Sequence, residues 1–208
     1  MIKVPIILNR WLCGLLVLTA SCPGHAVLLM DQIGSNPAHM SQNVEVSMDA
    51  PGGLFEAIDD FTPSTTKTLN WIEAHVRVNN YSSGPTWANT SYWRVDLYAD
   101  NSGAPGAIIA SMVVPGSLAG ITQGYSFGSS AFPANALVHI PLPGGFVVLA
   151  STRYWIGVAP HEPGARVFGV SHSNFTGGFP MNGTCWNMVP PSVFSNVSVD
   201  LAYRIDGF

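Results

Sequence analysis

Asp59 and Asp60 are adjacent carboxylates in the stretch LFEAIDDFTP. Glycoside hydrolysis uses two carboxyl groups, roughly 5–10 Å apart across the sugar. Neighbours in an extended chain point to opposite faces, so these two do not form such a pair with each other; we expect them to bond a turn. Asp96, Asp100, Asn101 and Ser102 offer oxygens of the kind Ca²⁺ takes, without the alternate spacing and terminal Glu of an EF-hand loop. An Asx-type turn is the expected role. His39, His75, His139, His161 and His172 are scattered, and no two have the helix-face spacing that holds zinc. His161, Glu162, His172 and Cys185 would form a cluster only if separate loops converge. A catalytic thiol at Cys185 would want a nearby base, and none is indicated in the sequence. There is no Gly-x-Ser-x-Gly elbow, phosphate loop or dinucleotide fingerprint. No catalytic residue, metal or cofactor is expected.

Aromatic residues remain. Flat rings exposed on a sheet or loop stack on the apolar faces of sugars while the hydroxyls stay wet. Trp93 alternates with polar neighbours and is expected in the core. Trp87 and Trp186 lie in polar, Gly-rich stretches predicted as loops. With Tyr81 and Tyr125 they are the candidate ligand-binding residues, and a polysaccharide or envelope component is the candidate partner.

The elements that position these residues read as strands. In YWRVDLYADNSGAPGAIIASMVV, residues Trp93, Val95, Leu97 and Ala99 alternate with Tyr92, Arg94, Asp96 and Tyr98. That period of two places one set on a buried face and the other towards water or a second layer. Asp100 to Gly106 has turn chemistry, so the segment is predicted as a β-hairpin. Ile72, Ala74, Val76 and Val78 alternate with Trp71, Glu73, His75 and Arg77. Further strands are predicted at Val27–Met30, Val44–Met48, Ala136–Leu142, Tyr154–Val158, Arg166–Ser171 and Val197–Ile205. Residues 115–135 and 175–191 read as irregular connections. No stretch carries a helical apolar stripe. The prediction is an all-β fold, an antiparallel, jelly-roll-like β-sandwich of roughly eight to ten strands.

The first 26 residues differ in kind. Lys3 and Arg10 flank the apolar run Trp11–Ala20, and small residues Gly24 and Ala26 follow. The run is short for a membrane span and fits a secretory signal peptide cleaved after Ala26. A membrane anchor is a second reading; a third makes Cys22, in LTASC, an acylated lipoprotein cysteine. Residues 27–208 are then a single β-sandwich domain without a transmembrane segment. Losing Lys3 and Arg10 leaves six basic residues against all twelve acidic ones, a net charge of −6. Such a chain has no electrostatic footprint for nucleic acid. Cys13 and Cys22 leave with the leader, so Cys185 has no disulfide partner. Asn80, Asn89, Asn174, Asn182 and Asn196 head Asn-x-Ser/Thr sequons, which mark exposed loops only in a glycosylating host.

The order of DQIGSN, DDFTP, VDLYADNSGAPGAIIAS, LASTRYWIGV and DLAYRIDGF resembles exported bacterial β-sandwich proteins of the PEP-CTERM and choice-of-anchor type. The resemblance covers most of residues 27–208. It implies export and a sandwich fold more than any activity. Such proteins often end in a Pro-Glu-Pro motif, an apolar helix and a basic cluster, which the residues up to Phe208 lack. A secreted, periplasmic or cell-surface location is expected. The leading expectation is a non-catalytic interaction or structural module of the envelope or extracellular matrix. The alternatives are a carbohydrate-binding module using loop aromatics, and a secreted hydrolase with an acidic pair in a groove.

Overall fold

A computed structural model describes residues 27–33, 43–50, 53–79, 90–125, 135–161, 167–171, 173, 185–189, 193–196 and 200–208. They form fourteen strands: β1 (Val27–Asp31), β2 (Asn43–Ala50), β3 (Gly53–Phe61), β4 (Lys67–Asn79), β5 (Tyr92–Asp100), β6 (Pro105–Pro115), β7 (Gly120–Tyr125), β8 (Asn135–Pro141), β9 (Val147–Val148), β10 (Tyr154–His161), β11 (Val167–Ser171), β12 (Cys185–Val189), β13 (Val193–Asn196) and β14 (Tyr203–Gly207). There is no helix among the described residues, so none is long and apolar enough to cross a membrane.

The two antiparallel sheets form a sandwich. β4 is the hub of the first. One of its edges pairs with β14 and then β11, and the other with β8 and β9. β1 lies outside β14, and β7 outside β8. The second sheet runs β12–β3–β10–β5–β6, with β13 beyond β12. β2 serves both: residues 43–46 pair with β11, and Ser47 and Ala50 with β3. A strand that changes sheets makes a corner of the sandwich.

The alternation read from sequence explains the core. Ile72, Ala74 and Val76 of β4 meet Trp93, Val95 and Leu97 of β5, and Tyr154, Ile156 and Val158 of β10, in one buried cluster. Each large aliphatic side chain buried there contributes roughly 1.5–3 kcal/mol. Tyr203 of β14 reaches across the layers, its hydroxyl donating to the Ala57 carbonyl at 2.8 Å.

The second sheet is buried on its other face too. Ile58, Tyr98 and Trp155 form a separate buried cluster, with Leu54 and Trp186 packed on it. The polar set on β5, expected towards water or a second layer, takes the second layer: Asp96 and Tyr98 are buried.

Three segments correct the sequence reading. β3 was not predicted, because both of its alternating sets mix acids with apolar residues: Leu54, Glu56, Ile58 and Asp60 on one side, Phe55, Ala57, Asp59 and Phe61 on the other. β7 lies within the stretch read as an irregular connection, and Cys185 and Trp186 lie on β12 rather than in a loop. The short pieces β9, β12 and β13 help carry the strand count beyond ten.

Candidate functional site

Across the outer face of the second sheet, β3, β10 and β5 bring Glu56, Gly157 and Asp96 together. Gly157 is the cross-strand partner of Asp96. It has no side chain, and Glu56 takes the vacant position: an ideal Cβ at residue 157 would lie 2.6 Å from Glu56 Cγ and Cδ and 2.9 Å from Oε1. Cross-strand Cβ positions are about 4.5–5.5 Å apart, so the Glu56 carboxyl lies beside Asp96.

The surroundings set its charge. Arg94, two residues before Asp96 on the same face of β5, donates from Nε to Asp96 Oδ2 at 2.7 Å. The Tyr98 hydroxyl donates to Glu56 Oε2. Glu56 Oε1 and Asp96 Oδ1 are buried without a hydrogen-bond partner among the described residues. Burial, and then the negative charge of Asp96, hold the Glu56 carboxyl well above the usual carboxylate range. Both effects on Glu56 favour its protonated, neutral form. Burial, above all, likewise raises Tyr98. A protonated Glu56 carboxyl carries one O–H donor, the only kind of group in the pair that the acceptor Oδ1 of Asp96 could use.

A perturbed acid beside a second carboxylate is the pattern of a hydrolytic site. Here both residues have no exposed surface, so a sugar does not reach either carboxyl in this conformation. The chemistry left to the pair is structural: it holds β3, β10 and β5 together over Gly157.

Sequence reasoning missed Glu56 because β3 gave no clean alternation. The sequence offers Asp96 as a calcium or turn oxygen. Instead it pairs with Arg94. Asp100 Oδ1 accepts from Trp155 Nε1 at 2.9 Å and from the Gly103 amide at 3.2 Å. The second contact is the Asx-type turn that was expected, with Ser102 at φ 56° and Gly103 at φ 88°. Among the described residues no three or more His, Cys, Asp or Glu side chains gather as metal ligands do.

Asp59 and Asp60 split to opposite faces, as adjacent strand residues must. Asp59 is buried and accepts from the Leu201 amide at 2.7 Å and the Asp60 amide at 2.8 Å. The first bond ties β3 to the segment leading into β14 rather than closing a turn. Asp60 faces Arg153 at 3.5 Å. On the first sheet, Glu73 accepts from Arg204 Nη1 at 2.8 Å and faces His139 at 3.5 Å. Burial opposes the Glu73 charge, but these two partners outweigh it and hold its carboxyl below the usual range.

The aromatic candidates divide. Trp186 is half-buried and sits edge-on to Trp155, with ring centroids 6.5 Å apart. Its Nε1 is buried without a hydrogen-bond partner among the described residues. Tyr125 ends β7, its backbone paired with Asn135. Trp87 and Tyr81 lie outside the described residues, as do Glu162 and His172. His161 stacks on Tyr92, centroids 4.3 Å apart.

Among the described residues one accessible feature is a sheet edge. Within the described residues β6 pairs with β5 alone. It is eleven residues long, PGAIIASMVVP, and has no charged side chain. Ile108, Ile109 and Val113 are 44 %, 52 % and 57 % exposed. Edges of this length and character offer unpaired backbone groups to another chain, and most proteins blunt them with lysine or short strands.

No family model matches the chain, and no curated protein matches it in sequence.

Proposed function

We propose that the protein is an exported, non-catalytic interaction or structural module of the cell envelope or extracellular matrix, making its contacts along β6. The observation that carries this reading is the edge itself: eleven residues, uncharged, with three exposed β-branched side chains. Strand addition to such an edge draws affinity from main-chain hydrogen bonds and specificity from alternate side chains. The sealing of Glu56 and Asp96 supports the non-catalytic part, because the acid pair with hydrolase-like chemistry has no exposed surface. The leader-like first 26 residues and the resemblance to exported sandwich proteins support the location.

The test uses purified peptidoglycan sacculi, cellulose, chitin and a panel of chromogenic glycosides. The reading predicts co-sedimentation with sacculi that falls in the double variant Ile109→Lys/Val113→Lys, and no glycoside turnover. Turnover abolished by Glu56→Gln would make the protein a hydrolase. Cellulose or chitin binding that survives the β6 variant and falls with Trp186→Ala would make it a carbohydrate-binding module.

A further inference from the structure

We propose that the occupant of the β6 edge is a second copy of this chain, joined antiparallel so that two second sheets become one continuous sheet. The inference rests on the reading of β6 as the contact edge and adds the identity of what it meets.

Charge selects the partner. The chain carries a net charge of −4, and −6 without its first 26 residues, so contact between two copies meets general repulsion. β6 escapes it, having no charge of its own. The charges directly behind its regular half also cancel: Arg94 pairs with Val113 and Asp96 with Ser111 across the ladder, and Arg94 and Asp96 are bonded to each other at 2.7 Å. Two such edges approach without like charges facing, as a self-complementary two-fold contact requires.

Geometry limits where they join. Register along β5–β6 is regular from Trp93↔Val114 to Leu97↔Ala110, and shifts beyond it. Pro105 and Pro115 close the strand at each end, and proline donates no backbone bond to a ladder. Pairing therefore centres on residues 110–114. Ala110 and Met112, which pack on the core cluster while still partly open, become covered by their counterparts in the other copy. Nine residues between the prolines span about 30 Å. A strip that long and one strand thick falls below the roughly 800 Å² per partner of a standard interface, so the dimer is reversible and concentration-dependent.

Sedimentation velocity over a hundredfold concentration range tests this on four samples: the wild-type chain, Val113→Lys, Val113→Glu, and the two variants mixed in equal amounts. Val113 is exposed, so neither change disturbs the core. The expected result is a wild-type dimer, an association about threefold weaker or more in each single variant because like charges then lie diagonally across the seam, within reach of long side chains, and recovery in the mixture. Recovery on mixing distinguishes a charge clash from misfolding. A wild-type chain that stays monomeric, or a Val113→Lys chain that dimerises like the wild type, overturns the inference. If the chain is monomeric yet the β6 double variant loses sacculus binding, the edge serves another partner: the self-pairing fails and the interaction-module reading stands. If neither property changes, both fail.

Discussion

Gly157 is where the outer layer of the second sheet is most sensitive to a single atom. Glu56 occupies the space its side chain would need, and Glu56 is buried, so it has little room to yield. Gly157→Ala should cost about 1–3 kcal/mol, the usual cost of overpacking, read as a lower denaturation midpoint. Combined with Glu56→Ala the cost should shrink, giving a clear coupling in a double-mutant cycle; additive costs would mean the two residues do not share that space. Glu56→Gln tests the neutral acid. An amide keeps the shape, supplies a donor towards Asp96 and does not ionise, so the variant should fold and lose the part of the fall in stability with rising pH that comes from Glu56. None of this was visible in sequence. Asp96 could be placed on the outer face by its alternation with Val95 and Leu97, but its partner came from β3, where acids and apolar residues share both faces. Trp93 was legible, since every second neighbour along its strand agreed with burial, and it is 2 % exposed.

Strands with one clean apolar face declared themselves, and strands buried on both faces did so only in part. β4 and β5 were read from alternation because one side of each packs on the main core. β10 was read as alternating too, yet Tyr154–Pro160 is buried throughout, because its second face carries Trp155 into another cluster. β12 was hidden among Gly, Asn and Pro, and local composition outweighed the pairing with β3 that orders it. Tyr203 donates across the sandwich to the Ala57 carbonyl. Tyr203→Phe keeps the ring and removes the donor, so it should cost about 1–2 kcal/mol, a lost bond plus a buried carbonyl left unpaired. Thermal or urea unfolding measures it, and an unchanged midpoint would mean that carbonyl finds another donor.

For the whole molecule, titratable groups buried in the two layers move stability in opposite directions as pH changes. His75 is buried, and its pKa is pushed down to about 4. An unfolded histidine titrates near 6.5. As pH falls from about 6.5 to 4 the unfolded chain takes up a proton that the folded chain refuses, so stability is lost, by about 3 kcal/mol over that range. Glu73, held low by His139 and Arg204, adds a loss at more acid pH, as its carboxylate is protonated. Glu56 and Asp59 act the other way. Burial raises both, so above the ordinary carboxylate range the unfolded chain releases protons that the folded one keeps, and stability falls as pH rises. In unfolding free energy against pH, His75→Leu should therefore remove a gain in stability between about pH 4 and 6.5, and Glu56→Gln a fall that begins just above the ordinary carboxylate range. A flat profile would mean these groups are solvated in solution. The layered all-β architecture was legible from sequence because it follows from period-two alternation and turn chemistry. The corner strand β2 and the hub role of β4 were not, since they depend on which strands meet across long stretches of chain.

Residue-resolved amide hydrogen exchange in dilute solution measures directly whether β6 is an open edge. In a strand paired on one side only, alternate amides point away from the partner. Between Ala110 and Val114, where the ladder is regular, slow and fast exchange should alternate at low protein concentration, with the fast set slowing as concentration rises. Uniform slow exchange along β6 at every concentration would contradict an open edge.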